Sequence, residues 1–598
     1  MCGIAGFNWE DKGIIKKMNA TLEHRGPDGE GTYTNKGISL GHRRLSIIDL
    51  SSAGKQPMCN EDGSIWITFN GEIYNFKLLR AELEQLGHSF KSNTDTEVIV
   101  HSYEEWGDSC VQKFNGMFAF AIWNDRTKEL FLARDRLGIK PLYYYWDEEK
   151  FIFASEIKAI LQSNIKREIN KNSLDHFFAH GFTPANFSIL KNIYKLQPGH
   201  SIKLIDKEIE IKKYWDIKFN PLIKSKKYYM RNIDENLNKS VSRRLLADVP
   251  VGAFLSGGVD STTLVAYIKK YKENLKTFSI GFEYKEFDES KFAKSVAQTF
   301  NTDHYENILT TNNITKLIPR LASIYDDPLA DYSTIPTYFV SKIARKHVKV
   351  CLGGDGGDEL FGGYNWYTQF NILKKQNYFP PMIKKHIIKP LLNNLLDGHL
   401  KDRLNCLITN NKINNPKLYA TLRSILNKQD LLKLNIDPKV YSIYQKYFKY
   451  KNYNDLFNSD IKLYLPEQIL HKVDKASMAV GLETRVPFLD HEMAEFSSKI
   501  PYEYKIKNGI KKYILKETVK NMIPKQIINR KKQGFGIPLK QYFRQELKDF
   551  VNSNLEDFSY VDKIYLNKIL EKHQSSQRDY SHLIFSFITF NEWSKKWL

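Results

Sequence analysis

Long apolar runs are missing from this 598-residue sequence. A membrane-spanning helix needs about 18–20 consecutive apolar residues, and GMFAFAIW at 116–123 is among the longest runs present. The N-terminus has no basic region followed by an apolar one, so no signal peptide is read. The expectation is a cytoplasmic enzyme with no membrane partner. Cysteine is scarce: five residues stand at 2, 59, 110, 351 and 406, with no CxxC pair. An odd, irregular set argues against a disulfide framework and against a structural zinc site. The Walker pattern G-x-x-x-x-G-K-[ST] is absent, which excludes that class of kinase or ATPase loop. Internal repeats are also lacking, so a solenoid is not expected.

What is abundant is positive charge, 89 Lys and Arg against 68 Asp and Glu, a formal net charge of +21. The excess is scattered in short runs such as KSKK (224–227), KKYK (269–272) and RKK (530–532). With no RNA-binding aromatic signature and no zinc finger, a solvated basic surface is expected and no nucleic-acid partner. Hydrophobic residues make up 42% of the chain, enough for packed interiors, and the length suggests two to four domains.

Two patterns divide the chain. Residues 1–200 alternate short apolar strands with turns, among them SIWITFNGEIY, FAFAIWN, ELFLARD and FIFAS, with helical stretches near 76–86 and 96–106. That predicts layered antiparallel sheets with helices, an α+β unit over 1–205. A linker is expected over 206–228. From 229 to 598, helix, strand, glycine loop and helix recur, as in VGAFLS, GGVD, STTLVAYIKKY and TFSIGF. This suits an α/β doubly wound parallel sheet with helical additions. Residues 365–460 read as mostly helical and polar.

The chain begins MCGIAGF. With Met1 removed, Cys2 would carry a thiol beside its own α-amine, whose pKa near ~8 leaves part of it a free base. That is a nucleophile and base within one residue. A small apolar cysteine opening a strand is the plain alternative. HRGPDG (24–29), HRRLSIID (42–49), FNGEIYN (69–75), NTDTEV (93–98) and RDRLGIKPLYY (134–144) follow in order. Together with Cys2 they resemble the glutaminase domain of class II glutamine amidotransferases, of the N-terminal nucleophile (Ntn) type. The resemblance implies glutamine as substrate and Cys2 as nucleophile on its γ-amide. It implies Asn70 and the Gly71 backbone N–H as the oxyanion hole, Arg44 on the substrate carboxylate, and Asp95 with Glu72 on its ammonium. Read singly, Asp95 is also a first-turn helix acid beside a Thr94/Glu97 capping box, and Asn70-Gly71 is a common hairpin turn.

In the second unit, VPVGAFLSGGVDSTTL (249–264) ends an apolar strand in glycines and opens a helix. Glycines admit an anion to the backbone, and the helix start supplies N–H donors. SGGVDS resembles the pyrophosphate loop of ATP pyrophosphatases. With HKVDKASMAVGLETRVPFLD (471–490), NGIKKYILKE (508–517) and KKQGFGIP (531–538), nearly the whole chain resembles glutamine-hydrolysing asparagine synthetases. That implies ATP phosphates on Ser256, Gly257, Gly258, Asp260 and Ser261, and adenosine near Phe278, Ser279, Ile280 and Gly281. It also implies an acyl-adenylate, ammonia crossing an internal channel, Mg2+ on the phosphates, Lys512 facing them, and a homodimer.

One further segment, GGDGGDELF (353–361), fits the calcium-binding β-helix repeat letter for letter. It is a single copy after the apolar VKVCL, so the better reading is a second wall of the ATP site. Gly353 and Gly354 would admit ATP, Asp358 would join Asp260 around magnesium, and Asp355 would face the acceptor. The family commonly has glutamate at position 355 and serine at 357. DDPLADYSTIPTYF (326–339) also departs from the pattern expected of enzymes acting on aspartate. Aspartate is the expected carboxylate acceptor, with a sugar uronic acid of surface polysaccharide as the alternative.

Overall fold

Alternation along the strands explains how the first third of the chain folds. In the computed structural model, which describes residues 1–284, 286–376, 380–383, 386–387, 390, 414–530, 534 and 536–598, this region forms twelve strands. They are β1 (Gly3–Phe7), β2 (Gly29–Asn35), β3 (Ile38–Arg44), β4 (Met58–Cys59), β5 (Ile65–Ile73) and β6 (Gly116–Asn124). Then follow β7 (Glu129–Arg134), β8 (Tyr143–Trp146), β9 (Phe151–Ala154), β10 (Ile193–Lys195), β11 (His200–Ile205) and β12 (Glu208–Lys213). They make two antiparallel sheets, ordered β10-β8-β9-β1-β3-β2 and β12-β11-β7-β6-β5-β4. β6 shows why they stack. Its Ala119, Ala121 and Trp123 join Ile4, Leu40 and Phe153 of the first sheet in one core. Its Phe118, Phe120 and Ile122 face the other way, onto helices α1 (Phe76–Gln85) and α2 (Asp95–Trp106). A strand buried on both faces reads as a continuous apolar run, as GMFAFAIW does. The result is a layered α+β unit.

Residues 206–228, expected as a linker, contain β12, whose Glu208–Lys213 pairs in register with β11. The charged stretch is the second strand of a hairpin at the sheet edge, where charged side chains reach water and discourage further pairing. Helix α3 (Lys226–Arg244) then opens the second unit.

That unit holds a five-stranded sheet of β13 (Val251–Phe254), β14 (Lys276–Phe282), β15 (Asp303–Leu309), β16 (Val350–Leu352) and β17 (Glu483–Arg485). The order is β15-β14-β13-β16-β17 and every pair is parallel. The chain winds outward one way from β13 to β15, then resumes on the other side at β16. This reversal creates a crevice beyond the C-terminal ends of β13 and β16, where doubly wound sheets bind ligands. Helix α4 (Val259–Ile268) leaves β13, α5 (Gly357–Phe361) leaves β16, and α6 (His471–Met478) and α7 (Tyr513–Val519) follow.

Residues 365–460 are helical where described but not polar throughout. Tyr367, Tyr419 and Tyr444 are buried there, and the Asp460 carboxylate accepts from Trp366, Tyr367 and Tyr419. One apolar core runs from Ile15 and Phe177 of the first unit to Leu264 and Phe587 of the second. Buried ion pairs cross the same boundary: Arg25 to Asp474 at 2.9 Å and Lys195 to Glu467 at 2.7 Å.

Candidate active sites

Cys2 lies beside the start of β1, at the base of a pocket lined by Arg44, Gly71, Glu72, Thr94, Asp95 and Glu483. Its backbone N–H donates to Asn70 Oδ1 at 3.1 Å. Burial pushes the thiol up, and the neighbouring N-terminal ammonium opposes that. Asn70 and Gly71 sit inside β5, opposite Ala119 and Phe118 of β6, so the hairpin-turn reading does not hold. Glycine is needed at 71 because a Cβ there would come within 2.1 Å of the Met117 carbonyl. The Asn70 Nδ2 amide is buried with no hydrogen-bond partner. A buried donor left unpaired costs about 1–3 kcal/mol.

Arg44 donates from Nη1 to the Ser51 carbonyl at 2.7 Å and from Nη2 to that of Asp49. A Cβ on Gly54 would strike Nη2, so the missing side chain leaves the guanidinium its room. Asp95 begins α2 just after its N-cap, Thr94. The expected capping box is half present: Thr94 Oγ1 accepts from Glu97 N, but Glu97 binds the Lys91 and Ser92 amides. Asp95 Oδ2 accepts from Ile73 N at 2.8 Å. Burial holds the Asp95 carboxyl up at about 7, the Ile73 N–H opposing, and burial with the Asp95 charge raises Glu72 as well.

One residue of this pocket's wall, Glu483, comes from β17, far along the chain, and Arg485 of the same strand backs it. Glu483 accepts the ammonium of Met1, the residue whose removal would expose the Cys2 amine, at 3.0 Å. Arg485 bridges Glu483 at 2.6 Å and Glu72 at 2.8 Å. Burial alone would raise Glu483, but the N-terminal ammonium and Arg485 hold it down to about 2. Neither was singled out from sequence, although both lie in GLETRVPF, where a charged pair interrupts an apolar strand.

At the second site the reversal brings the two glycine loops together. Ser256 N donates to Ser261 Oγ at 3.3 Å, and Ser261 Oγ donates to the Gly258 carbonyl at 3.2 Å. Gly257 has φ of +68° and contacts Phe292 so closely that no Cβ fits. Arg530, also missed, donates to the Gly257 carbonyl at 3.0 Å. Asp260 opens α4, and Gly354 and Gly357 pack on it; a Cβ on Gly357 would lie 2.7 Å from the Asp260 carboxyl carbon. The Gly353 amide donates to the Arg485 carbonyl at 2.8 Å. Lys512, in the left-handed region at φ +54°, reaches both Asp260 and, at 2.5 Å, Asp358. Burial disfavours its charge, yet the two carboxylates hold it above the ordinary lysine range. Ser279, Ile280 and Gly281 lie on β14, next to β13. Of KKQGFGIP, residues 531–533 and 535 lie outside the described residues.

Asp355 is half-buried, and desolvation raises its carboxyl, with Lys472 opposing and Asp358 and Asp260 adding to it. Lys472 Nζ donates to Ser333 Oγ at 2.8 Å and pairs with Asp331 at 3.3 Å. The segment 326–339, read as an acceptor wall, therefore splits. Asp331 and Ser333 lie with Lys472, while Asp326 pairs with Lys475 at 2.6 Å and Asp327 with Lys195 at 3.0 Å, ties within the shared core.

Comparison with known proteins matches residues 1–215 to a glutamine amidotransferase domain and residues 232–595 to asparagine synthase. Asparagine synthetase [glutamine-hydrolyzing] 1 of Bacillus subtilis is 36% identical over 612 residues, 99% of this chain and 96% of that protein. Putative asparagine synthetase [glutamine-hydrolyzing] 2 of Methanocaldococcus jannaschii is 39% identical over 82% of this chain and all of its own length. Amidase chry2 of Gibberella zeae is 26% identical over 94% of this chain and 93% of its own. With both domains matched in order and an identity of 36% sustained end to end, the chain belongs to the glutamine-hydrolysing asparagine synthetase family.

Proposed function

We propose that this chain hydrolyses glutamine at Cys2 and uses the ammonia to amidate an ATP-activated carboxylate, aspartate in the first instance, giving asparagine, AMP and pyrophosphate. The observation that carries the reading is the unpartnered Asn70 Nδ2 beside Cys2, a donor placed for the oxygen of a tetrahedral intermediate. With Met1 removed, the Cys2 amine takes the thiol proton. The Gly71 N–H supports the same oxyanion. Arg44 binds the glutamine carboxylate with its planar fork, and Asp95 with Glu72 receives the ammonium.

At the synthetase site, Ser256, Gly257, Gly258 and Ser261 with Gly353 and Gly354 cradle the triphosphate, and Ser279, Ile280 and Gly281 flank the adenosine. Asp260 and Asp358 suit a hard cation: both are carboxylates, and glycine backbone packs where side chains would fill the space. They would hold Mg2+, which supplies positive charge against the phosphates. Lys512 supplies charge from the chain itself. Asp355 and Lys472 face the acceptor. A cavity lined by Arg134, Tyr143 and Lys195 of the first unit and Glu467, His471 and Lys475 of the second supports passage of ammonia between sites.

The second reading, amidation of a sugar uronic acid, is favoured by Asp355, one methylene shorter than the family's common glutamate. Both are tested by measuring pyrophosphate release with ATP, magnesium and glutamine over aspartate, sugar uronates and tRNA. Release with aspartate supports the first reading; release confined to a uronate overturns it. Cys2→Ala loses glutamine-driven turnover and keeps ammonia-driven turnover; loss of both contradicts two separate sites.

A further inference from the structure

A cluster away from both sites is built like a metal centre. One ligand atom each from Glu61, His88 and His101 lies within 4.8 Å of the others. Glu61 follows β4, His88 lies in the loop after α1, and His101 and Glu104 lie on α2. His101 Nδ1 is 3.7 Å from Glu61 Oε2 and shares a hydrogen bond of 2.8 Å with Glu104 Oε2, which is 3.9 Å from His88 Nδ1. A tetrahedral ion with ligands at 2.0–2.1 Å has ligand–ligand edges of about 3.3–3.4 Å, close to the 3.7 Å between Glu61 Oε2 and His101 Nδ1.

The surroundings orient these atoms. Glu104 Oε1 accepts from Asn60 Nδ2 at 2.7 Å, and Glu61 Oε1 accepts from Ser89 N at 3.1 Å. Each carboxylate thus has one oxygen tied back and its Oε2 turned to the imidazoles. His101 is 1% exposed. Its Nε2 has no hydrogen-bond partner and faces Glu97 Oε1 at 3.9 Å. Glu97 is itself fixed by the Lys91 and Ser92 amides. The cysteine pattern argued against a structural zinc site, but these donors are nitrogen and oxygen, a set that suits zinc-class ions better than Mg2+ or Ca2+.

We propose that Glu61, His88 and His101 bind one divalent transition-metal ion of the zinc class, with Glu104 beside them as hydrogen-bond partner of His101. The ion clamps the turn at 60–64 and the loop 86–94 onto α2, the helix whose first residue is Asp95.

The test uses the full chain carrying Cys2→Ala, so that no active-site thiol competes, stripped with chelator and kept in saturating Mg2+ to occupy the Asp260/Asp358 oxygens. Co2+ is titrated and its ligand-field absorption followed, then displaced by Zn2+. One equivalent with the intense absorption of a four-coordinate ion is expected. His88→Ala and Glu61→Gln, at partly exposed positions that leave the core intact, should each weaken binding at least tenfold. Zn2+ should raise the melting temperature of the parent chain and not that of the His88→Ala variant. No stoichiometric binding, or binding that both variants leave unchanged, overturns the proposal; His101 then belongs to a metal-free ion-pair network with its glutamates.

Discussion

Replacing Arg485 with methionine tests whether the synthetase half completes the glutaminase pocket. Arg485 is fully buried and donates to Glu483, Glu72 and the carbonyls of Arg244 and Leu246. Methionine fills much of the volume but leaves two buried carboxylates without their shared cation. Glu483 shows the scale: against the burial that would raise it, the Met1 ammonium and Arg485 hold it from an ordinary glutamate's 4.5 down to about 2, an effect of about 3 kcal/mol. Arg485 supplies part of that, beside the N-terminal ammonium, and it also serves Glu72, so a loss of about 3–5 kcal/mol is expected. The sign follows from linkage. A depressed carboxyl stabilises the fold fully above its unfolded value and loses that contribution as pH falls through about 2. In the variant these carboxyls titrate higher and take up protons that the parent does not. The parent-minus-variant gap is therefore widest near pH 8 and narrows as pH falls, by up to about 1.4 kcal/mol per pH unit for each extra proton. Thermal melting of both proteins from pH 4 to 8, with glutamine hydrolysis at each pH, measures this. A gap that does not change with pH, or glutamine kinetics equal to the parent's, would refute the role given to Arg485.

Other outcomes follow from the same geometry. Asn70→Ala should lower kcat for glutamine hydrolysis by about 10²–10³ while ammonia-driven pyrophosphate release persists, because the change is confined to the Cys2 pocket. Asp95, held up at about 7 by burial, is increasingly protonated below that pH and loses its attraction for an ammonium. KM for glutamine should therefore rise as pH falls from 8 to 6, and Asp95→Asn should raise KM and flatten the profile. Lys512→Met should abolish pyrophosphate release and leave glutamine hydrolysis, with Asp260 and Asp358 then lacking their shared cation. Gly357→Ala should impair synthetase turnover more than stability, because its methyl would press on the Asp260 carboxylate.

Local pattern made part of this molecule legible. Alternation in FAFAIWN and the glycine punctuation of SGGVDS and GGDGGD are properties of a few neighbouring residues, and they predicted strands, loops and the layered and doubly wound units. Where local chemistry is shared by two structures, the pattern could not choose. Asn70-Gly71 suits a hairpin turn, yet β6 packing on Gly71 places it mid-strand. IDKEIEIKKYW suits a linker, yet it zips onto β11. Contacts between distant segments left no such trace. Arg485 and Glu72 are 413 residues apart, and an ion pair of that span is fixed only once the sheets pack. The same packing makes Asp326 and Asp327, inside the segment that departs from the family pattern, anchors for Lys475 and Lys195. Since β17 supplies Glu483, backed by Arg485, to one pocket while the Arg485 carbonyl holds Gly353 of the other, a single three-residue strand joins the walls of both sites.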